Sequence, residues 1–470
     1  MQPASDKNIK RSLILAGGGV RLAYHAGVLI ALEEAGIAFD HVDGTSGGIF
    51  GTAMLASGIS PKEAAVRWRK LNLKGFMAAM PLGDYFNQDN LPGLGSADGI
   101  RKKIFPALGI RPEIIKTNTG FRATFNVCNF SKKTIECIDG KDINEDYLIA
   151  GMSLPVFMPA LKINGDWYTD AVWIKDANIT EAVKSGAEDV WLVWCIGNTA
   201  TYLNGSFNQY VHMIEISANG GLFAEIDWLR TVNEDRLSKG LKPVGLRIIK
   251  PEYALPLDPD FLFNKINADT LINMGYADTR KYLAVDSKFT DNQSVSDSTA
   301  MKTTDASLHF RQQFKGKLVI GGALNAVTIC LSFFIHEIDS QYTFQLYTSI
   351  SSIAGSDLIS GYENAIHVDS NGRINAGFRF VYDSVDYDAN LKMQFNSVPN
   401  ILIGIDNKIA KVSITPAGSP KNADSLFIQP AVNRIRNAFY LNVNANTVWY
   451  KRMKLKNRLL SQLVNHDEKV

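Results

Sequence analysis

Apolar and polar positions follow two different rhythms along this chain. Ser12 to Ala16 is a short apolar run that ends on glycines, the pattern of a buried parallel strand. After it, Leu22, Ala26, Leu29, Ile30 and Leu32 recur near helical spacing up to Gly36, a helix-ending glycine. Phe39 to Asp43 predicts a second strand, and Ile49 to Ala56 an apolar helix with small residues. Two loops therefore sit at the carboxyl ends of adjacent parallel strands, where open α/β sheets bind ligands. Helical patterning returns at Ile226 to Arg230 and at Leu262 to Leu283, which would close this first domain.

The rhythm changes after a Ser/Thr/Asp-rich stretch, Thr290 to Thr299 with its continuation to Ser307, which reads as a linker or exposed loop. Beyond it, Leu318 to Glu337, Tyr342 to Ile353, Ile374 to Tyr382, Leu391 to Phe395 and Ile401 to Ile414 read as strands. Asp369 to Gly372 and Ser419-Pro420 supply turns. The expected organisation is an α/β domain over 8–288, a linker over 289–308, an antiparallel β-rich domain over 309–430 and a C-terminal segment over 431–470. In that last segment Thr447 to Asn465 predicts a helix with Met453, Leu459, Leu460 and Leu463 on one side. Lys451, Arg452, Lys454, Lys456 and Arg458 concentrate positive charge on it. Such a helix packs on its own domain with a solvated basic face, or lies on an anionic membrane.

Composition narrows the class. With 46% apolar and 20% charged residues among 470, the chain reads as an ordinary globular protein. A net charge of +2 gives no case for nucleic-acid binding. Cys128, Cys137, Cys195 and Cys330 lack zinc spacing, and Asp383, Asp386 and Asp388 lack EF-hand spacing, so no metal is expected. Met1 to Arg11 is polar, and the most apolar stretch, Val319 to Ile335, is short and strand-like. Neither an export signal nor a membrane span is expected. The expectation is a cytoplasmic protein, with peripheral membrane contact left open. Oligomeric state is not legible.

Two segments carry the chemistry. Gly44-Thr45-Ser46-Gly47-Gly48 matches G-x-S-x-G, the strand-to-helix bend that lifts a serine Oγ to its apex. Gly17-Gly18-Gly19-Val20-Arg21 is a glycine-rich loop at a helix start, where free N–H groups can face a negative charge. A nucleophile beside an anion-cradling loop is the minimum equipment for acyl transfer. The rival is a dinucleotide fold, since Gly17-x-Gly19 follows a strand and Asp40 or Asp43 lies about 20 residues on. Leu22 stands where its third glycine belongs, and a serine elbow has no role in it.

In these segments the chain resembles the patatin-like phospholipases. That family carries a G-G-G-x-[RK] oxyanion loop, a G-x-S-x-G nucleophile and a catalytic aspartate in D-G-[GA]. The counterparts here are Gly17 to Arg21, Gly44 to Gly48, and Asp170-Ala171. Ala150 to Pro159 is similar to the family segment between the last two motifs. The likeness spans residues of about 8–285, roughly three fifths of the chain. It implies a three-layer α/β/α sandwich with a mostly parallel sheet, ahead of the β-rich domain. The implied activity is lipid acyl hydrolysis of the phospholipase A or lysophospholipase type, without a cofactor, on a lipid or phospholipid substrate. Its catalytic residues would be Ser46 and Asp170, with Gly17, Gly18 and Gly19 as oxyanion hole and Gly44 and Gly48 shaping the elbow. Arg21 would brace the loop or meet a phosphate. The alternative is a lipid-binding or regulatory protein that keeps the scaffold with weak catalysis.

Two residues depart from the family pattern. Leu22 and Ala171 both replace glycines, and Ala171 would be strained if its position needed a positive φ. The base is the remaining question. A Ser–Asp–His order with His212 or His309 would suit an α/β-hydrolase, yet one βα unit alone precedes Ser46. The resemblance implies instead that Asp170 takes the serine proton directly. The turn Ile163-Asn164-Gly165-Asp166 would form a hairpin presenting it.

Overall fold

The computed structural model describes residues 9–71, 98–198, 204–255, 268–285, 299–320, 323–352, 358–369, 373–394, 410–417, 424–430, 442–444 and 449–464, with Ala200, Tyr202 and Val398. Eight strands of the first half share one sheet: β1 (Arg11–Leu15), β2 (His41–Thr45), β3 (Arg122–Asn129), β4 (Thr134–Asp139), β5 (Leu161–Ile163), β6 (Asp166–Asp170), β7 (Asp189–Val193) and β8 (Gly245–Ile249). Their order is β5-β6-β3-β2-β1-β7-β8, with β4 also paired to β3. Strands β3, β2, β1, β7 and β8 run parallel, while β4, β5 and β6 add antiparallel hairpins on the β3 side.

Helices cover this sheet because its strands are apolar on both faces. Helix α1 (Ala23–Glu34) follows the glycine loop and is buried from Ala23 to Leu32. It ends at Gly36, whose φ of +70° lets the chain close the helix and turn toward β2. Helix α2 (Gly48–Ala56) is nearly all buried, and α3 (Pro61–Lys70) begins with Ser60 capping the Glu63 amide. The long helix Ser206–Ser238 lays Ala218, Leu222, Ile226 and Leu229 into one cluster with Ile14, Leu192 and Trp194.

The chain divides into two compact units, Met1–Asp258 with Val285–Lys302, and Pro259–Ala284 with Thr303–Val470. The helix Ala268–Val285, expected to close the first domain, clusters with the second unit except for its last residue. Its polar residues explain why: Thr270 Oγ1 meets Ser332 Oγ at 2.8 Å and Asn273 accepts from Ser360 Oγ at 3.1 Å. Most of the Thr290 to Thr299 stretch lies outside the described residues. In its continuation Ala300, Lys302, Thr303 and Asp305 are exposed, Thr299 and Met301 are buried, and a strand starts at Ala306.

That strand opens a ten-stranded antiparallel sheet: β9 (Ala306–Ile320), β10 (Ala323–Ile338), β11 (Gln341–Ser352), β12 (Leu358–Ser360), β13 (Tyr362–Val368), β14 (Arg373–Tyr382), β15 (Val385–Gln394), β16 (Ala410–Pro416), β17 (Asp424–Pro430) and β18 (Asn442–Asn444). The expected strand from Leu318 to Glu337 takes in the end of β9 and nearly all of β10, and β12, β13, β17 and β18 carried no expectation. Residues 401–409 and the Ser419-Pro420 turn lie outside the described residues. Strands β12 and β13 sit at opposite ends of the sheet order yet are separated by Gly361 alone, and β17 pairs with β9. The sheet thus curls into a barrel-like meander whose end strands join at Gly361, with no ladder between them among the described residues. Alternate residues point inward, among them Phe310 and Phe314 from β9, Phe333 from β10, and Phe378 and Phe380 from β14.

The C-terminal helix Trp449–Ser461 belongs to this core. Leu459, Leu460 and Leu463 are fully buried in it, and Arg458 Nη2 donates to Glu337 Oε2 at 2.6 Å. Of the two readings open for that helix, the structure displays packing on its own domain. All four cysteines are free. No helix among the described residues is long and apolar enough to cross a membrane.

Candidate active site

Strand β2 delivers Ser46 to a sharp bend. Its φ of +51° is left-handed, a conformation that costs a serine roughly 1–2 kcal/mol and persists where surrounding structure enforces it. The enforcement is visible: Ile49 N–H donates to Ser46 O at 3.1 Å and Phe50 N–H to Gly47 O at 3.0 Å, starting α2 without an intervening loop. Gly44 lies on β2 and Gly48 opens α2, so both elbow glycines stand where the motif placed them.

Asp170 arrives from the other direction. Asn164 and Gly165, with φ of +50° and +94°, turn β5 into β6. Register then does the rest, for Asp170 pairs with Val127 of β3 while Thr45 of β2 pairs with Asn126. Serine and aspartate, 124 positions apart, meet at one sheet end: Ser46 Oγ donates to Asp170 Oδ2 at 2.7 Å. The other carboxylate oxygen accepts Val172 N–H at 2.9 Å. The Asp170 amide is itself tied to Ser153 O at 3.1 Å, within the Ala150 to Pro159 segment. Burial pushes the Asp170 carboxyl up to about 7, against the two hydrogen bonds that favour its charged form. Ala171 is buried and outside the left-handed region, so replacing glycine there introduces no strain.

The glycine loop is pinned at two points. Arg21 is 6% exposed and turns back on the loop, its Nε donating to Gly18 O at 2.9 Å while its own amide donates to the same oxygen at 3.1 Å. With that carbonyl held, the planar peptide turns the Gly19 N–H the opposite way. Gly17 is different: its N–H is committed to Asp176 Oδ2 at 2.9 Å. Gly18 and Gly19 keep amides with no hydrogen-bond partner among the described residues. Asp176 had no signature in the sequence, because what gives it a place is the fold bringing residue 176 against residue 17.

Histidines stand elsewhere. His41 is held on β2 between Ser12 Oγ and Thr124 Oγ1, both at 2.7 Å, and burial lowers it to about 4. His25 is buried within α1 and lowered to about 3. His212 faces Glu215 on the long helix, while His309, His336 and His367 belong to the second unit and His466 lies outside the described residues. Asp43, the acid a dinucleotide site would need, is fully buried and accepts from Thr124 Oγ1 at 2.5 Å and Asn126 Nδ2 at 2.7 Å. It faces its own sheet instead of a ligand. No metal-binding cluster exists among the described residues.

Comparison with known proteins follows the same residues. Residues 13–183 match the family model of the patatin-like phospholipases. A lysophospholipase NTE1 of Coccidioides immitis is 31% identical over 183 residues, 38% of this chain and 11% of its own. The lysophospholipase NTE1 of Phaeosphaeria nodorum is 26% identical over 58% of this chain and 18% of its own. A human patatin-like phospholipase domain-containing protein 6 is 48% identical over 62 residues, 13% of this chain and 4% of its own. The chain therefore spans less than a fifth of the length of these relatives. The elbow, the glycine loop and the aspartate that meets the serine all fall inside residues 13–183, the region similar to the patatin-like phospholipases.

Proposed function

We propose that this protein is a serine lipid acyl hydrolase, cleaving carboxylic esters of glycerolipids in the phospholipase A or lysophospholipase manner through a Ser46–Asp170 dyad. The observation that carries this reading is the 2.7 Å bond from Ser46 Oγ to a buried aspartate whose carboxyl lies near 7. An ordinary aspartate near 3.9 is a weak base, and desolvation brings this one into the working range. Asp170 takes the Ser46 proton as Oγ bonds to the ester carbonyl carbon, and the carbonyl electrons move onto oxygen. The Gly18 and Gly19 amides receive that oxyanion, with Arg21 bracing the peptide between them. Collapse expels the alcohol, which takes the proton from Asp170. A water then repeats the sequence on the acyl-serine, with Asp170 as base again.

The substrate's surroundings are read from the rim. Strands β2 and β3 are parallel, so Ser46 and Phe130 follow them at the same sheet end. Phe130 and Trp167 are 52% and 46% exposed and joined by a 2.8 Å backbone bond. Lys133 Nζ lies 3.1 Å from the Phe130 ring centre and Lys162 Nζ 5.9 Å from that of Trp167. Exposed aromatics flanked by lysines suit an anionic lipid surface, the rings entering the interface and the ammonium groups meeting headgroups. This supports peripheral membrane contact on the catalytic side.

The test is fluorophosphonate labelling of the purified chain, followed by peptide mapping and turnover of a short-chain ester. Labelling at Ser46, lost in Ser46→Ala and slowed by at least about 10²-fold in Asp170→Asn, is expected. A chain that folds but labels at no serine is instead the lipid-binding or regulatory protein.

A further inference from the structure

Asp176 is a second buried carboxyl beside the dyad, and the reaction as derived does not use it. It lies between the turn Ala171–Trp173 and the helix Ile179–Lys184, fully buried. Oδ2 accepts the Gly17 amide at 2.9 Å, while Oδ1 is buried with no hydrogen-bond partner among the described residues. A Cβ added to Gly17 would stand 2.5 Å from Asp176 Oδ1 and 2.9 Å from Ser46 Cβ. Glycine is therefore required at 17: the carboxyl and the nucleophile's own carbon close in on the space a side chain would take.

Resting on the acyl-hydrolase reading, we infer that Asp176 is a positioning residue that sets the oxyanion loop through the Gly17 amide, acting as an uncharged acceptor whose place an asparagine can fill. One acceptor at the first peptide of the loop and the doubly held Gly18 carbonyl together fix the peptides between them. The Gly18 and Gly19 amides then point where the oxyanion forms. The uncharged state follows from the surroundings. Burial and then the neighbouring Asp170 carboxylate raise Asp176 well above the usual carboxylate range, and the Gly17 amide and Arg21 only partly oppose them. An ionised Asp176 would set a second negative charge next to the developing oxyanion, which the loop exists to neutralise. The proton belongs on Oδ1, the oxygen without a partner.

The experiment compares Asp176→Asn and Asp176→Ala with the wild-type chain in fluorophosphonate labelling rate, in kcat and KM for a short-chain ester, and in melting temperature. The asparagine variant keeps an acceptor without a charge and is expected to label and turn over within about threefold of wild type, inside the scatter of a conservative change. Alanine releases the Gly17 peptide, and kcat is expected to fall about 10²-fold with KM little changed, the loss that a misplacement of about 1 Å produces. An asparagine variant as slow as alanine would show that the charge is needed and overturn the inference, as would an alanine variant with undiminished kcat. Should alanine fail to fold, the asparagine rates alone decide. Should the wild-type chain hydrolyse no ester, the acyl-hydrolase reading fails separately. The Gly17 tie is then read from melting temperatures, asparagine matching wild type and alanine lower, and equal melting of all three would overturn it.

Discussion

Leu22 and Gly47 interlock between the glycine loop and the serine elbow. A Cβ on Gly47 would stand 2.5 Å from Leu22 Cδ2 and 3.0 Å from Gly19 O, so the leucine side chain occupies the space beside the residue that follows the nucleophile. Leu22 is 1% exposed and is the last residue of the short helical turn after the glycine loop. Thus the departure from the family's glycine at position 22 adds packing between loop and elbow, and leaves the loop amides in place.

A double-mutant cycle follows from that contact. Gly47→Ala is expected to unfold the elbow or cut labelling of Ser46 strongly. Adding Leu22→Ala removes the closest atoms and should recover part of the loss, with a coupling energy of about 0.5–3 kcal/mol. Melting temperatures of the four proteins check it, and strict additivity would show that the two residues do not meet in solution.

With Asp170 as the proposed base, the pH dependence of acylation is expected to follow its carboxyl. It must be ionised to accept a proton, so the rate should rise with pH and level off above about 7. A histidine base would give a limb near pH 6.5, too close to tell apart by midpoint. The discriminating measurement is therefore the mutant series: Asp170→Asn loses the limb and the rate, while alanine at His212, on its own helix facing Glu215, leaves both unchanged.

Stability should show the opposite trend. A carboxyl raised from 3.8 to about 7 by folding binds its proton more tightly in the folded state, so its contribution is complete below pH 3.8 and is lost as pH rises through 7. Asp43 is raised to about 7 by burial and adds to the same loss, whereas the lowered His25 and His41 destabilise as pH falls below 6.5. The difference between Asp170→Asn and wild type reads Asp170 together with its coupling to Asp176. The variant's advantage should grow by about 1.4 kcal/mol per pH unit in that window. Urea unfolding from roughly pH 4 to pH 8 measures it.

Membrane contact through the rim predicts a split between soluble and vesicle substrates. Phe130→Ala with Trp167→Ala should weaken sedimentation with phosphatidylglycerol vesicles by about tenfold or more, given the apolar area removed. Turnover of a short-chain soluble ester should not change. Vesicle binding that survives the double substitution would assign those aromatics to another partner.

In the second unit, Leu460 tests the barrel. It is fully buried in the barrel core, so Leu460→Ala should destabilise that unit by about 2–5 kcal/mol. Calorimetry reads the loss, with Ser46 labelling as the control for the first unit.

Local pattern was enough for the elements that carry the chemistry. The glycine loop, the elbow, the hairpin at Asn164-Gly165 and their flanking strands depend on neighbours a few residues away, so the sequence alone determined them. Long-range register did not appear there. Whether Asp170 reaches Ser46 depends on β6 pairing with β3 and β3 with β2, a relation across 124 positions. Asp176 likewise meets Gly17 across 159 positions, and the burial around Ser46 and Asp170 also raises the proton affinity of Asp170. The barrel shows the limit most plainly. Period-two alternation marks strands but not their partners, so the curl whose end strands join at Gly361 and the helix Ala268–Val285 joining that unit were settled by tertiary packing, because burial rewards whichever distant surfaces fit together.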